Sequence, residues 1–396
     1  MTSQARDAAI VGIYEYPKRK VDGLSPLQIK AESAARALED AGLAWSDVDA
    51  VYDAVEAGRW LQSNVAEYFQ LQPKVIDTTS VGGSSYEFHA AHARRDIAAG
   101  KARVALLTYG STSHSSARAI GTGGPAPSQG APFANMEAPW GMTLIANYGM
   151  VAARHMHDYG TTADQLAAIA IATRAHAMRN PEAVQAMMDL GFQGISDITL
   201  DDVTQSRVIA DPLRLLDCCM ISDGGGAVVI AAPEVARDCR HEPVWILGSG
   251  EATKYPENQG DVTISAAAQS GPEAFGEAGV RPDEIDVAML YDSFTITVLV
   301  AAEDLGFCAK GDGGAFVTGD RLRFDASFRP ALNTDGGGLS SNHPGMRGIF
   351  LLIEATRQLR GQSTSQVKGA KLAVAHGNGG HLGSQHNSAT IILGCD

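Results

Sequence analysis

The sequence predicts an α/β protein whose two halves repeat the same order of helices and strands. Three features carry that reading: a segment that returns at a constant offset, a second unit that returns in the same order, and an apolar, sparsely charged composition. Ala37-Leu38-Glu39-Asp40-Ala41-Gly42-Leu43, with Asp47-Val48-Asp49 behind it, comes back as Ala274-Phe275-Gly276-Glu277-Ala278-Gly279-Val280 with Glu284-Ile285-Asp286, 237 residues later. In each copy a helix stops at a glycine, the residue suited to the left-handed position after a helix. An acidic turn follows, then a short apolar strand, Ala50–Tyr52 and Val287–Leu290.

The second unit recurs less closely. Thr79-Ser80-Val81-Gly82-Gly83-Ser84-Ser85 leads into a helix with Tyr86, Ala90, Ala93 and Ile97 on one face, and strand Val104–Leu107 comes next. In the second half Gly336-Gly337-Gly338 and His343-Pro344-Gly345 lead into a helix carrying Ile349, Leu352, Ile353 and Leu359, followed by strand Lys371–Ala375. Two units in one order point to duplication.

Composition narrows the function classes. The chain has 396 residues, 45% hydrophobic and 19% charged, which excludes a disordered chain and suits a well-buried enzyme-like body. Its 43 glycines exceed the usual ~7% and fall in short clusters, the mark of tight loops against which something packs or binds. A formal charge of −14 argues against nucleic acid or anionic membrane as a partner. No apolar run approaches the ~20 residues of a membrane span, and residues 1–7 do not read as a secretion signal. Five cysteines form no CxxC pair, so neither a zinc site nor a full disulfide set is expected, and the expected compartment is the cytoplasm. His155 and His157 stand two apart and cannot share a helix face, which speaks against a metal there. No GxGxxG or GxxxxGK[ST] loop supports nicotinamide or ATP chemistry.

Between the halves, residues 111–210 read as an insert. It opens with a Gly/Pro/Ser-rich loop, Gly121 to Pro132, and turns helical where Thr162 to Gln165 caps a run with Leu166, Ile169, Ala170 and Thr173. Asp201 to Ile209 reads as polar loop.

Further segments complete the pattern: Ala8–Gly12, Ser206–Leu213 with Ser222–Ala227, Tyr291-Asp292-Ser293-Phe294-Thr295 running into Glu303–Cys308, Asn333–Gly338, and His376-Gly377-Asn378-Gly379-Gly380-His381. Across nearly the whole chain these resemble the thiolase superfamily, in its lipid-transfer-protein or sterol-carrier-protein branch. Within that branch they are most similar to the thiolase-like retro-aldolases that shorten side chains of acyl-CoA thioesters, steroid ones among them. The resemblance implies two duplicated doubly wound halves in a five-layer αβαβα sandwich, residues 1–240 with the insert and 241–396. It also implies a homodimer and a small OB-fold and zinc-ribbon partner protein in an α2β2 assembly. No cofactor is implied, coenzyme A being part of the substrate.

The departures bear on the chemistry. A working thiolase carries a nucleophilic cysteine where this chain reads Ser80, and an acid–base cysteine near Gly377. Without either, the Claisen cycle lacks its acyl carrier and its second proton shuttle. The motif histidine is His343, preceded by Asn342. A second tyrosine common in the branch is replaced by Ser341.

What remains suits an enolate. Backbone N–H groups of Gly82, Gly83, Gly379 and Gly380 can stabilise a thioester oxygen as it takes up charge, each such donor being worth ~2.7–4 kcal/mol. His343 is a further donor, or else a simple cap of the Ile349 helix. Tyr291 is a candidate acid–base group, or else a core tyrosine; a phenol near ~10 serves as a base only where its surroundings stabilise the phenolate. His343, His381 or loop N–H groups could supply that. Asp292 either orients a neighbour or caps the following helix. Asn342, His381 or a water on Ser341 could stand in for the missing tyrosine. Cys218 and Cys219 read as small buried hydrophobes, and His386 as surface.

The expected function is a carbon–carbon lyase that cleaves a β-hydroxyacyl-CoA to a ketone or aldehyde plus a shortened acyl-CoA. The rivals are an acyltransferase using Ser80 activated by His343, and a non-catalytic acyl-CoA or lipid carrier.

Overall fold

The computed structural model describes residues 6–54, 61–116, 143–254, 260–383 and 385–395. The Gly121–Pro132 loop lies outside them. Ten strands form one mixed sheet: β1 (Ala9–Glu15), β2 (Ala50–Tyr52), β3 (Val75–Asp77), β4 (Val104–Ser111), β7 (Gly224–Ala231), β8 (Val244–Lys254), β9 (Val287–Leu290), β10 (Ala331–Leu332), β11 (Leu372–Gly379) and β12 (His386–Gly394). A side hairpin holds β5 (Val208–Ala210) and β6 (Leu213–Arg214). Of the helices, α1 (Pro26–Ala41), α2 (Leu61–Tyr68) and α3 (Ser85–Ala98) belong to the first half. The insert contributes α4 (Leu144–Tyr159), α5 (Ala163–Ala177), α6 (Pro181–Asp189) and α7 (Leu200–Thr204), and α8 (Pro233–Ala236) follows it. The second half has α9 (Ala267–Ala278), α10 (Thr295–Asp304), α11 (Gly313–Phe316), α12 (Gly337–Ser340) and α13 (Gly348–Leu359).

The strand order is β10-β9-β11-β12-β8-β1-β7-β4-β2-β3. Divided between β8 and β1, it gives two halves with one plan when each is read from its outer edge. β10, β9 and β11 run parallel, then β12 and β8 alternate; β3, β2 and β4 run parallel, then β7 and β1 alternate. The antiparallel β1–β8 contact joins the halves. Helices α3 and α13 pack against strands of both halves, while α1 covers β1, β4 and β7, and α9 covers β8 and β12. The layers are therefore helix, sheet, helix, sheet, helix. Tyr86, Ala90, Ala93 and Ile97 of α3 share one buried core with Ile349, Leu352 and Ile353 of α13, the faces that the apolar spacing indicates.

The duplication is visible at atomic detail. Gly42 and Gly279 close α1 and α9 in the left-handed conformation, at φ 78° and 67°. In β1, a methyl group on Gly12 would meet the Ala37 carbonyl oxygen at 2.1 Å and Ala41 Cβ at 3.0 Å. In β8, one on Gly248 would meet Ala274 O at 2.2 Å and Ala278 Cβ at 2.9 Å. Each sheet half thus lets its outer helix approach over the same missing side chain.

Two expectations need correction. Asp201 to Ile209 is not plain loop: Thr199 and Asp202 form a reciprocal capping box that starts α7, and β5 follows. Gly336-Gly337-Gly338 does not run straight into the Ile349 helix, because residues 337–340 coil into α12 first. No helix among the described residues is long and apolar enough to cross a membrane.

Substituting Gly12→Val or Gly248→Val should destabilise the fold by at least ~1–3 kcal/mol through overpacking. Gly276→Ala, inside α9 with no atom within 4 Å of the added methyl, should gain ~0.5–1 kcal/mol from helix propensity. Urea midpoints of the three variants check both signs.

Candidate active site

The site grows from the end of β9. Tyr291 donates its backbone N–H to His376 O on β11 (3.0 Å), which fixes the start of the turn that leaves the sheet. Its ring lies over Gly83, where a methyl group would come within 2.3 Å of two ring carbons, so glycine is required there. Its hydroxyl lies 3.0 Å from His343 Nε2 and 3.3 Å from Gly345 O. One proton arrangement satisfies both contacts: the imidazole donates from Nε2 to the phenol oxygen, and the phenol donates to the carbonyl. That leaves His343 Nδ1 unprotonated, and it has no partner among the described residues. His343 does not cap α13, whose first turn has no side-chain cap.

Burial decides the charge state of this pair. Tyr291 is pushed well above its ordinary value by burial, with Cys219 and Tyr148 adding to the shift and the backbone N–H and charge of Arg347 opposing it. The surroundings therefore do not favour a standing phenolate, contrary to the base role considered above; the phenol is protonated at neutral pH. His343 is pushed down to about 4, by burial first and then by the Arg347 charge, so its imidazole is neutral.

Beneath the pair lies a buried ionic knot. Arg347, fully buried, donates from Nη2 to both oxygens of Asp335 (2.8 and 2.7 Å), from Nε to Asp292 Oδ1 (2.9 Å) and from Nη1 to Asn342 Oδ1 (2.8 Å). Burial lowers its affinity for the proton, but Asp335 and Asp292 outweigh that and hold it above the ordinary arginine range. Asp292 also accepts the Gly338 and Leu339 N–H groups at the start of α12 (2.8 and 3.3 Å). Burial raises its carboxyl to about 6 despite Arg347. Asp292 thus caps α12 rather than the helix that follows it, and it does not reach the phenol. Asn342 is likewise committed, its Nδ2 donating to Glu15 (2.7 Å), so its amide cannot replace the missing tyrosine.

The glycine loops meet. A methyl group on Gly82 would touch Gly379 Cα at 3.2 Å and Gly380 N at 3.3 Å. The starts of α3 and α13 also adjoin, since a methyl on Gly348 would lie 2.6 Å from Gly83 O. Ser80 is exposed, two residues before the bend, and the position that faces the second glycine loop is Gly82, at φ 75°.

His381 is half-buried in the turn after β11, where it acts on His386. His386 is not a surface residue: it is fully buried, with Nδ1 3.0 Å from Gly379 O.

Two groups at the site were not singled out by sequence. Tyr148 of α4 donates to Gly380 O (2.9 Å), accepts from Asn378 Nδ2 (2.8 Å) and packs at a tilt against Phe294, with ring centroids 4.6 Å apart. Burial raises its hydroxyl to about 12. A second phenol therefore does stand beside Tyr291, delivered by the insert rather than by position 341; Ser341 is buried with its hydroxyl unpartnered among the described residues. Cys219, read as a small hydrophobe, stands near enough to Tyr291 to bear on its proton, and burial pushes its own thiol up. Neither lies in the repeat, so periodicity gave no signal for them. Among the described residues no group of three His, Cys, Asp or Glu side chains could hold a metal ion.

Comparison with known proteins gives the family and the fold. Residues 248–395 match a family model described as thiolase C-terminal domain-like. The steroid side-chain-cleaving aldolase of Thermomonospora curvata is 34% identical over 91% of this chain and 92% of its own. The acetyl-CoA acetyltransferase of Methanothermobacter thermautotrophicus is 32% identical over 96% and 98%. A solved structure titled Ltp2-ChsH2(DUF35) aldolase superposes with a TM-score of 0.87 at 30% identity, covering 100% of this chain and 99% of that one.

Replacing Arg347 with Met should cost ~3–5 kcal/mol, because Asp292 and Asp335 would stay buried without a counter-charge. The Arg347→Met, Asp292→Asn, Asp335→Asn triple variant should recover part of that loss. Chemical denaturation of the two proteins measures the difference.

Proposed function

This chain belongs to the thiolase superfamily, in the branch that holds the sterol-carrier-protein-like thiolases and the steroid side-chain-cleaving aldolases, and from that premise we propose that it is an acyl-CoA retro-aldolase. It cleaves the Cα–Cβ bond of a β-hydroxyacyl-CoA to a ketone or aldehyde and a shortened acyl-CoA. The observation that carries the reading is the buried pair of a protonated Tyr291 and a neutral His343, 3.0 Å apart, with no nucleophile at Gly82.

A neutral pair can move protons without creating a net charge in a buried site, where an isolated charge is costly. The β-hydroxyl proton passes to His343 Nδ1, and the Nε2 proton moves to the Tyr291 oxygen only as that phenol releases its own. As the hydroxyl's electrons form the new carbonyl, the Cα–Cβ pair flows into the thioester as an enolate. Tyr291 gives its own proton to Cα, and the relay ends with imidazole and phenol neutral again. N–H groups of the facing loops at Gly82–Gly83 and Gly379–Gly380 stabilise the enolate oxygen. Asp292 and Asn342 hold Tyr291 and His343 in place through Arg347, and Tyr148 holds the Gly380 turn. His381 and Ser80 have no part in this route.

The acyl-transfer reading draws on the acetyltransferase relative, but it needs an acyl carrier. Gly82 supplies none, Ser80 is exposed, and a thiol raised by burial, as at Cys219, is a weak nucleophile. A partner protein is part of the proposal, since the solved relative's title names two components. A small OB-fold and zinc-ribbon partner, a homodimer core and an α2β2 assembly are its specific form. The substrate class is a bulky acyl-CoA of the kind suggested by the steroid aldolase relative, with coenzyme A entering as part of the substrate and no cofactor required.

A panel of steroid and aryl β-hydroxyacyl-CoAs, assayed by mass spectrometry with and without the co-expressed partner, tests the proposal. A carbonyl fragment plus shortened acyl-CoA is expected, and Tyr291→Phe should reduce its formation ~10²–10⁴-fold. Acyl exchange onto free CoA with no carbonyl fragment would overturn it.

A further inference from the structure

Glu87, in the first turn of α3, has no role in the relay and no accessible surface. Neither carboxyl oxygen has a hydrogen-bond partner among the described residues. Space has been kept for it: a methyl group on Gly377 would lie 2.2 Å from Glu87 Oε2, and one on Gly348 would lie 2.4 Å from it. An unpaired buried carboxylate would be very costly, and the neutral acid far less so.

Its position is specific to Tyr291. The Tyr291 ring covers one side of Gly83, while the Gly83 carbonyl and Glu87 Oε2 both border the Cα of Gly348. The residue before Gly348 is Arg347, whose backbone and charge both act to lower the Tyr291 phenol against the rise that burial causes. Carboxyl and phenol thus flank the same two pieces of backbone, residues 83 and 347–348, without touching. The charged group that bears on Glu87 is Arg347 of the α13 start, and its charge is already met by Asp292 and Asp335. From β11 the facing residue is Gly377, which carries no charge.

We infer that Glu87 is a positioning residue, held as a neutral carboxylic acid beneath Tyr291, whose proton keeps the phenol able to transfer its own. Ionised Glu87 would place a negative charge behind the phenol, holding its proton more tightly and opposing the charge that builds on the enolate. Burial holds this acid well above the ordinary glutamate range, so the neutral form prevails at working pH. The inference rests on the retro-aldolase reading for its consequence and on the buried carboxyl alone for its premise.

The test pairs two readouts in Glu87→Gln, which keeps shape and neutrality. The first is stability against pH. In the wild type the folded chain retains a proton that the unfolded chain has released, so stability should fall as pH rises from the ordinary glutamate value of ~4.3 toward the raised one. The variant's urea midpoint should lose that one-proton slope. The second is the pH profile of kcat. At pH 7 the variant should turn over within tenfold of wild type at unchanged KM, and its alkaline limb should move up by more than one pH unit. An unchanged stability slope would overturn the premise whatever the substrate proves to be. An unchanged alkaline limb, or a thousandfold loss of kcat in a folded variant, would overturn the gating role.

Discussion

A guanidinium without access to water holds the centre of this molecule together. Arg347 binds Asp335 through two bonds, Asp292 through one and Asn342 through another. Two of those partners are sequence neighbours of the groups that matter: Asp292 follows Tyr291, and Asn342 precedes His343. Buried ion pairs are weak evidence for stability but expensive to break. Here the knot sets the 3.0 Å contact between a phenol and an imidazole that arrive from opposite ends of a fifty-residue stretch.

The same burial dictates the chemistry. It raises Tyr291, lowers His343 and keeps Glu87 protonated, so the groups around the reacting atoms are neutral. In the knot below, Asp292 and Asp335 share the one counter-charge of Arg347. A site of this kind favours a proton relay over a step that builds an ion. It also disfavours covalent catalysis, because the position facing the second glycine loop has no side chain. The fold supports several chemistries; the occupants of Gly82, Gly377 and Tyr291 decide among them.

The fold was largely legible in the sequence because its signals are local. Two glycine-stopped helices, each leading to a short apolar strand, recur at one offset, and the strand order repeats with them. Position within the site was legible where a motif carried it: Tyr291 and His343 were both singled out, and the glycine loops do meet. The rest depends on tertiary contacts that leave no periodic trace. Tyr148 comes from an insert helix and reaches Gly380 across 232 residues. Glu87 reads as a polar residue near a helix start, and only the packing of glycines around it shows that it is buried. Ser80 and Gly82 differ by two residues, and only tertiary packing shows that Gly82 lies against the second glycine loop. Asn342 and Asp292 looked chemical because they adjoin the motif residues, whereas their hydrogen bonds are spent on Arg347.

The neutral phenol–imidazole pair is the central claim, and the ionisation of one histidine tests it most directly. With ¹⁵N-labelled histidine and a His343→Gln variant to assign the signal, the His343 imidazole should stay neutral from pH 5 to 9, with its proton on Nε2. An imidazole that titrates near the ordinary ~6.5, or that carries its proton on Nδ1 at neutral pH, would contradict the account.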